Sequence, residues 1–236
     1  MKNEIHIGYD SREDLAYRVC EHSIKSRTRV SNFFIVPLTL NYVADILTRP
    51  IEYRDGKMYC PISEAPMATE FAVSRFTIPF FKNKGWHLFM DCDMVCTTDI
   101  KELFELADDK YAVMVVKHKH NSGADTKMDG ITQTYYSRKN WSSVILWNCS
   151  HPAHQRLSIT NLNTWPGRDL HAFKWLNDEE IGELASEWNY LVGVNEPIEN
   201  PKIIHYTLGG GWFKDWGVKY PEDKIWYEEY NKMNNK

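Results

Sequence analysis

The sequence predicts an α/β domain built on a mostly parallel sheet flanked by helices, and three observations predict it. The chain opens strand–helix–strand, the arrangement that joins two parallel strands through a crossover. Residues 87–90 and 111–116 are short continuous apolar runs, as expected of strands covered on both faces. The 236 residues, 43% hydrophobic and 25% charged, suffice for one compact domain with a full core.

The elements follow in order. Residues 5–9 form the first strand, and Asp10 or Ser11 caps the helix behind it, with Glu13 and Asp14 in the first turn. That helix runs to about residue 26 on an apolar stripe of Leu15, Val19 and Ile24. Residues 32–38 are the second strand, and 41–49 read as helical. In the polar stretch 50–61, Asp55-Gly56 marks a hairpin turn. Residues 63–81 read as one helix carrying Met67, Phe71, Arg75 and Ile78, broken at Gly85. Strand 87–90 leads into Asp91-Cys92-Asp93. Asp99 with Glu102 forms a capping box for a short helix lined by Ile100, Leu103, Phe104 and Ala107. Residues 111–116 and 141–148 are strands. The polar loop between them is long for a compact domain, and 117–140 is a candidate lid. Residues 170–176 and 178–184 read as short helices. Residues 203–206 are a last strand, running into Leu208-Gly209-Gly210-Gly211-Trp212, and an aromatic amphipathic tail follows from Pro221.

Composition removes several function classes. A net charge of −4 argues against a dedicated nucleic-acid binder. No apolar run approaches the roughly 18 residues of a membrane span. The N-terminus enters a strand almost at once, so no signal peptide is expected. Five scattered cysteines lack zinc spacing and read as reduced, which points to a cytoplasmic protein.

Asp91 and Asp93 carry the chemistry. Residues two apart on an extended chain face the same way, so both carboxylates converge while Cys92 turns inward. A divalent cation relieves their repulsion, and Mn²⁺ or Mg²⁺ suits hard oxygen ligands completed by phosphates. The competing reading is a helix cap plus a solvated acid. In open α/β sheets ligands sit beyond the carboxyl ends of strands, and three more features fall there. Asp10 follows the first strand. His205 ends the last and can supply a third metal ligand. Gly209, Gly210 and Gly211 let the backbone approach a ligand and donate N–H groups to phosphate.

Together these residues carry a family resemblance. Ser74-Arg75-Phe76-Thr77-Ile78-Pro79, Leu88-Phe89-Met90-Asp91-Cys92-Asp93 and Asp99-Ile100-Lys101-Glu102-Leu103-Phe104 resemble the core signature of GT-A glycosyltransferases. The likeness is greatest to glycosyltransferase family 8, the glycogenin and bacterial galactosyltransferase group. Residues 142–148, Asp178-Glu179, Glu187-Trp188-Asn189 and Ile204-His205-Tyr206 with Gly209 to Trp212 follow in that family's order. Departures are Trp141 for Asn, Ser143 for Gly and Glu179 for Gln, and the lysine that would contact the donor diphosphate is missing. Lys214 or Lys219 could replace it, though neither matches by position.

The resemblance implies a GT-A, Rossmann-like mixed sheet in a single domain spanning 1–236. Residues 1–116 would be a nucleotide-binding half, 141–213 a sugar and acceptor half, and 214–236 a packing tail. It implies metal-dependent transfer of a sugar from a nucleotide-diphosphate donor, UDP-linked, to a carbohydrate or other hydroxyl acceptor, with retention. Asp91, Asp93 and His205 would hold Mn²⁺ or Mg²⁺. Asp10, Arg75, Gly209, Gly210, Gly211 and Trp212 would bind the donor, with Arg75 alternatively orienting Asp91. Ser143, Asp178 and Glu179 would line the sugar pocket, and Trp141 and Trp212 are candidate sugar platforms. A haloacid-dehalogenase-type phosphatase using Asp91 and Asp93 is the rival enzyme. A non-catalytic nucleotide-sugar-binding module is the rival binder.

Overall fold

The computed structural model describes residues 3–29, 33–119 and 138–235. Most of the candidate lid, 120–137, lies outside these residues. Strand β1 (Asn3–Gly8) leads through a 3-10 turn at Ser11–Glu13 into α1 (Asp14–Arg27), which returns the chain to β2 (Phe33–Leu38). β1 and β2 pair in parallel, Ile5 against Ile35 and Ile7 against Pro37. Pro37 cannot donate to a ladder, and β2 is the edge strand where that loss is tolerated.

The hairpin forms as β3 (Glu52–Arg54) and β4 (Lys57–Cys60), with β5 (Ala65–Pro66) added on the other side of β4. Asp55 (φ 50°) and Gly56 (φ 75°) take the two left-handed positions that a tight hairpin turn demands.

Residues 63–81 are not one helix. They comprise β5, turns, a 3-10 segment at Ser74–Thr77 and the single turn α2 (Ile78–Phe81). Tertiary pairing overrides helical spacing here. Met67 N–H bonds to Met58 O at 2.9 Å, and the Phe71 ring lies so close to Gly8 that a Cβ there would sit 2.5 Å from it. Residues 41–49 likewise yield only a 3-10 turn, Asn41–Val43.

The remaining strands are β6 (Trp86–Met90), β7 (Met94–Cys96), β8 (Val113–Val116), β9 (Val144–Asn148), β10 (Ile181–Leu184), β11 (Tyr190–Leu191) and β12 (Ile203–His205). The remaining helices are α3 (Lys101–Phe104), α4 (Ile159–Thr164), α5 (Gly167–His171) and α6 (Asp223–Asn234). The central sheet has the order β10-β8-β9-β6-β1-β2. β9 runs against both of its neighbours, and the other pairs are parallel. A second sheet, β11-β12-β7, stands beside it. The predicted helix 178–184 is instead a 3-10 turn, Asp178–Glu180, followed by β10. Gly182 fits that strand because Tyr111 and Met114 cover the place of a Cβ.

The core is continuous across the central sheet: Ile5, Ile7, Leu88, Phe89, Met90, Val113, Val115 and the whole apolar run of β9 are buried. The capping box before α3 is half formed. Asp99 Oδ1 accepts from Lys101 N–H at 3.0 Å, while the Glu102 carboxylate takes the Thr98 hydroxyl and Lys202. All five cysteines are free and buried. Among the described residues, no helix is long and apolar enough to cross a membrane.

Candidate active site

The Asp-x-Asp segment is the joint between the two sheets. β6 of the central sheet ends at Met90, and β7 of the second sheet begins at Met94. Cys92 is fully buried at this bend, and Asp91 and Asp93 line a cavity of about 920 Å³. Two neighbouring strands complete the joint. The amino end of β9 arrives beside Asp91, whose N–H bonds to Ser143 O at 3.0 Å. β12 pairs antiparallel with β7, placing His205 opposite Met94, and Tyr206 N–H bonds to Asp93 O at 2.9 Å. Strand pairing alone thus gathers residues 91, 93, 143 and 205.

His205 Nε2 lies 3.3 Å from Asp93 Oδ1. One ligand atom from each of Asp91, Asp93 and His205 lies within 4.8 Å of one from each of the others. A chain of hydrogen bonds decides which face His205 presents. Ser143 Oγ donates to Asn140 O at 2.8 Å, and Asn189 Nδ2 donates to Ser143 Oγ at 2.8 Å and to Asn140 O at 3.4 Å. The Asn189 amide is thereby oriented, and its Oδ1 faces His205 Nδ1 at 3.0 Å. Nδ1 must therefore be the donor, and in the neutral imidazole the lone pair lies on Nε2, toward Asp93. A lone pair facing a carboxylate suits a cation between them. The donor set fits a divalent ion: two carboxylates and one imidazole whose far nitrogen is anchored by a hydrogen bond.

Arg75 is buried and lies 2.8 Å from Asp91 Oδ1, while also donating to Ser142 O at 2.7 Å. Its guanidinium sits 4.7 Å from the Phe89 ring centroid. The geometry places it as the orienter of Asp91. Ser142 and His171 line the cavity beside it, joined Oγ to Nδ1 at 2.7 Å. Burial, and then the nearby Arg75 charge, hold His171 well below its usual range, so it is neutral.

The other expected site residues divide. Trp212 lines the cavity with His205, Gly209 and Phe213. Lys214 lines it too, joined by Lys139, whereas Lys219 lies 3.7 Å over the Trp216 ring. Asp10 is fully buried, capping the turn at Ser11–Glu13. Its carboxylate accepts from Arg12 N–H, the Arg12 guanidinium and Glu70 N–H. Those bonds are internal to the protein.

Gly209 (φ +117°) donates its N–H to Tyr206 O at 2.8 Å, so that group is not free for phosphate. The glycine run instead seats tryptophans. A Cβ on Gly209, Gly210 or Gly211 would fall 2.8, 2.1 or 2.5 Å from the rings of Trp216, Trp212 and Trp226 respectively. Asp178 and Glu179 do not line the cavity. They stand at the amino end of β10, Asp178 80% exposed and paired with Arg138. Trp141 donates its indole N–H to His118 O and does not line the cavity. Asn189 is the site residue that residue chemistry alone did not single out. Its signal was the Trp-Asn segment, which only the family resemblance picks out.

The fold is that of the GT-A glycosyltransferases. The glycosyltransferase GlyE of Streptococcus pneumoniae TIGR4, in its apo form, superposes over 100% of this chain with a TM-score of 0.60 at 16% identity. This chain spans 62% of GlyE. The galactosyltransferase LgtC in complex with donor and acceptor sugar analogs gives a TM-score of 0.56 at 12% identity, covering 97% of this chain and 95% of LgtC. In sequence, the chain is 44% identical over 242 residues to Protein CDI of Arabidopsis thaliana, covering 98% of this chain and 88% of the plant protein. The chain belongs to the family of Protein CDI. No family model matches the sequence.

Proposed function

We propose that the chain is a metal-dependent glycosyltransferase that moves a sugar from a UDP-sugar to an acceptor hydroxyl with retention. The observation that carries this reading is the convergence of Asp91, Asp93 and His205 on one wall of a 920 Å³ cavity at the joint of a GT-A sheet. LgtC, of the same fold, is known with donor and acceptor sugar analogs, which supports a nucleotide-sugar reading. UDP and retention rest on the resemblance to family 8.

Asp91, Asp93 and His205 would hold Mn²⁺, with Mg²⁺ as the alternative. The bound dication would supply Lewis-acid stabilisation of the departing diphosphate. Arg75 fixes the Asp91 carboxylate, and Ser143 acts through Asn189 to fix His205. Ser143 is therefore a positioning residue. Lys214 brings a cation to the cavity in the stretch where the family's diphosphate lysine is missing. Trp212 and Phe213 give it an aromatic wall suited to sugar faces.

The phosphatase reading needs the first aspartate free to attack phosphorus. Asp91 is held by Arg75, and β6 follows five earlier strands instead of opening the domain, as the nucleophile strand of that phosphatase type would.

The test is incubation of nucleotide-diphosphate sugars with the chain and Mn²⁺. One donor is expected to release free sugar and nucleotide diphosphate, and a chelator to stop the release. Calorimetric binding of UDP with no release from any donor would leave only the binding module. Neither binding nor release would overturn the reading.

A further inference from the structure

We propose a second dication site, separate from the Asp-x-Asp cavity, formed by Glu4, His6 and His87 and suited to a borderline-soft ion of the Zn²⁺ type.

Strand register builds it. β1 and β6 are parallel, with Ile5 opposite Leu88 and His6 opposite Phe89. Glu4 and His6 are two apart and share a face of β1. By the same register His87 stands across from Glu4, on that face. The three residues lie at the amino ends of the two strands whose carboxyl ends lead to Asp10 and Asp91. None of them lines the 920 Å³ cavity.

The side chains are arranged as ligands rather than as a hydrogen-bonded cluster. His6 is fully buried, and neither ring nitrogen has a hydrogen-bond partner. A polar group so enclosed is normally satisfied. Its Nε2 looks toward Glu4 Oε2 at 3.5 Å. His87, also buried, has Nε2 3.0 Å from Lys84 O. A carbonyl only accepts, so Nε2 carries the proton and the lone pair is on Nδ1, which has no hydrogen-bond partner. A backbone carbonyl on the far nitrogen is how metal-bound imidazoles are commonly oriented. Lys82 holds the other carboxylate oxygen, Glu4 Oε1, at 2.7 Å, which leaves Oε2 to the histidines. One ligand atom from each of the three residues lies within 4.8 Å of one from each of the others.

Two imidazoles and one carboxylate, with water in the fourth position, are a zinc-type set, whereas the Asp-x-Asp cavity is richer in hard oxygen. A bound ion would pin β1 to β6 at the end of the sheet away from Asp91. The Phe81 ring, edge-on to His6 with centroids 5.5 Å apart, closes one side.

The experiment uses the full chain stripped of metal by chelation. In a variant carrying Asp91→Asn and Asp93→Asn, which silences the first site, one equivalent of Zn²⁺ is expected by calorimetry. Co²⁺ in its place should give the intense visible absorption of a four-coordinate centre. Adding Glu4→Gln and His87→Gln should weaken Zn²⁺ binding more than about 100-fold, beyond the 10–100-fold lost when only a supporting group is removed. Circular dichroism checks that each variant is folded. Absence of Zn²⁺ binding in the Asp91/Asp93 variant, or unchanged binding after the Glu4 and His87 substitutions, overturns the proposal. If a variant does not fold, crystals of the wild-type chain soaked in Zn²⁺ decide. An anomalous peak among the three side chains supports the site, and its absence rejects it.

Discussion

Asp93 and His205 meet as two acceptors unless something positive stands between them, and this gives the site its sharpest single-residue test. Asparagine at position 93 can donate its amide to His205 Nε2, which keeps the local fold while removing a metal-binding charge. Asp93→Asn is therefore expected to lose Mn²⁺-dependent nucleotide binding and donor hydrolysis. Its melting temperature should not fall by more than about 4 °C, since the amide supplies a hydrogen bond where two acceptors otherwise face each other. Calorimetry and thermal melts check both halves. Asn189 tests the support behind the metal ligand. Asn189→Leu removes the group that holds His205 Nδ1 and is expected to raise the Mn²⁺ concentration for half-maximal activity by about 10–100-fold. Asn189→Asp keeps an acceptor toward Nδ1 but loses the donor to Ser143, so it should recover part of that loss. A merely structural role for Asn189 would lower stability with no change in metal dependence.

At the scale of elements, the loop after β12 shows how one short motif serves packing before chemistry. Gly211 is covered by the Trp226 ring of α6. Gly211→Ala forces an aromatic ring aside and is expected to destabilise the chain by ~1–3 kcal/mol, several degrees in a chain of this length. A thermal melt unchanged by Gly211→Ala would show that the loop adapts. The same loop illustrates what could be read in advance. That Asp91, Asp93 and His205 would meet was legible, because each ends or follows a strong apolar strand, and such strands are placed by the order of the sheet. The glycines' true neighbours were not, since Trp212 and Trp216 reach them only through the way the loop curls back on itself, and Trp226 only through the docking of α6. The segment 63–81 misled for a related reason. Met67, Phe71, Arg75 and Ile78 repeat at helical spacing, but Arg75 is held by Asp91 and Phe71 packs on Gly8, partners distant in sequence, while Met67 pairs back to Met58 of the hairpin. Asp178 and Glu179 were placed by resemblance alone, and the short turn into β10 carries them away from the cavity wall.

For the whole molecule, buried titratable groups make stability depend on acid in two stages. His154 is held down to about 4, by burial above all, and stays neutral when the unfolded chain begins to protonate near 6.5. The unfolded state then binds more protons, so stability falls as pH drops from about 6.5 toward 4. Glu229 joins α6 to α1, taking His22 Nδ1 and Arg27 Nη2 at 2.7 Å each. Burial raises its affinity for protons, but the bonds and charges of Arg27 and His22 outweigh that and hold it below its ordinary 4.5. Asp10 is held below 3.8 in the same way, burial opposed and outweighed by Arg12 and Glu70. A carboxylate with a lowered value stabilises the fold above its unfolded value, and the contribution is lost as pH falls through the folded one. Melting temperature is therefore expected to decline gently below about pH 6.5 and steeply below about 4.5. His154→Gln should make the first stage shallower without abolishing it, because burial also holds down His6, His87 and His171, and should leave the second. Glu229→Gln should lower the neutral-pH plateau and make the second shallower, because one of the two pairings that make acid destructive is gone while that of Asp10 remains. Circular-dichroism melts from pH 7 to pH 3 check this. A melting temperature that is level from 6.5 to 4 in the parent chain would mean that His154 accepts its proton in the folded state, and the burial argument for that residue would fail.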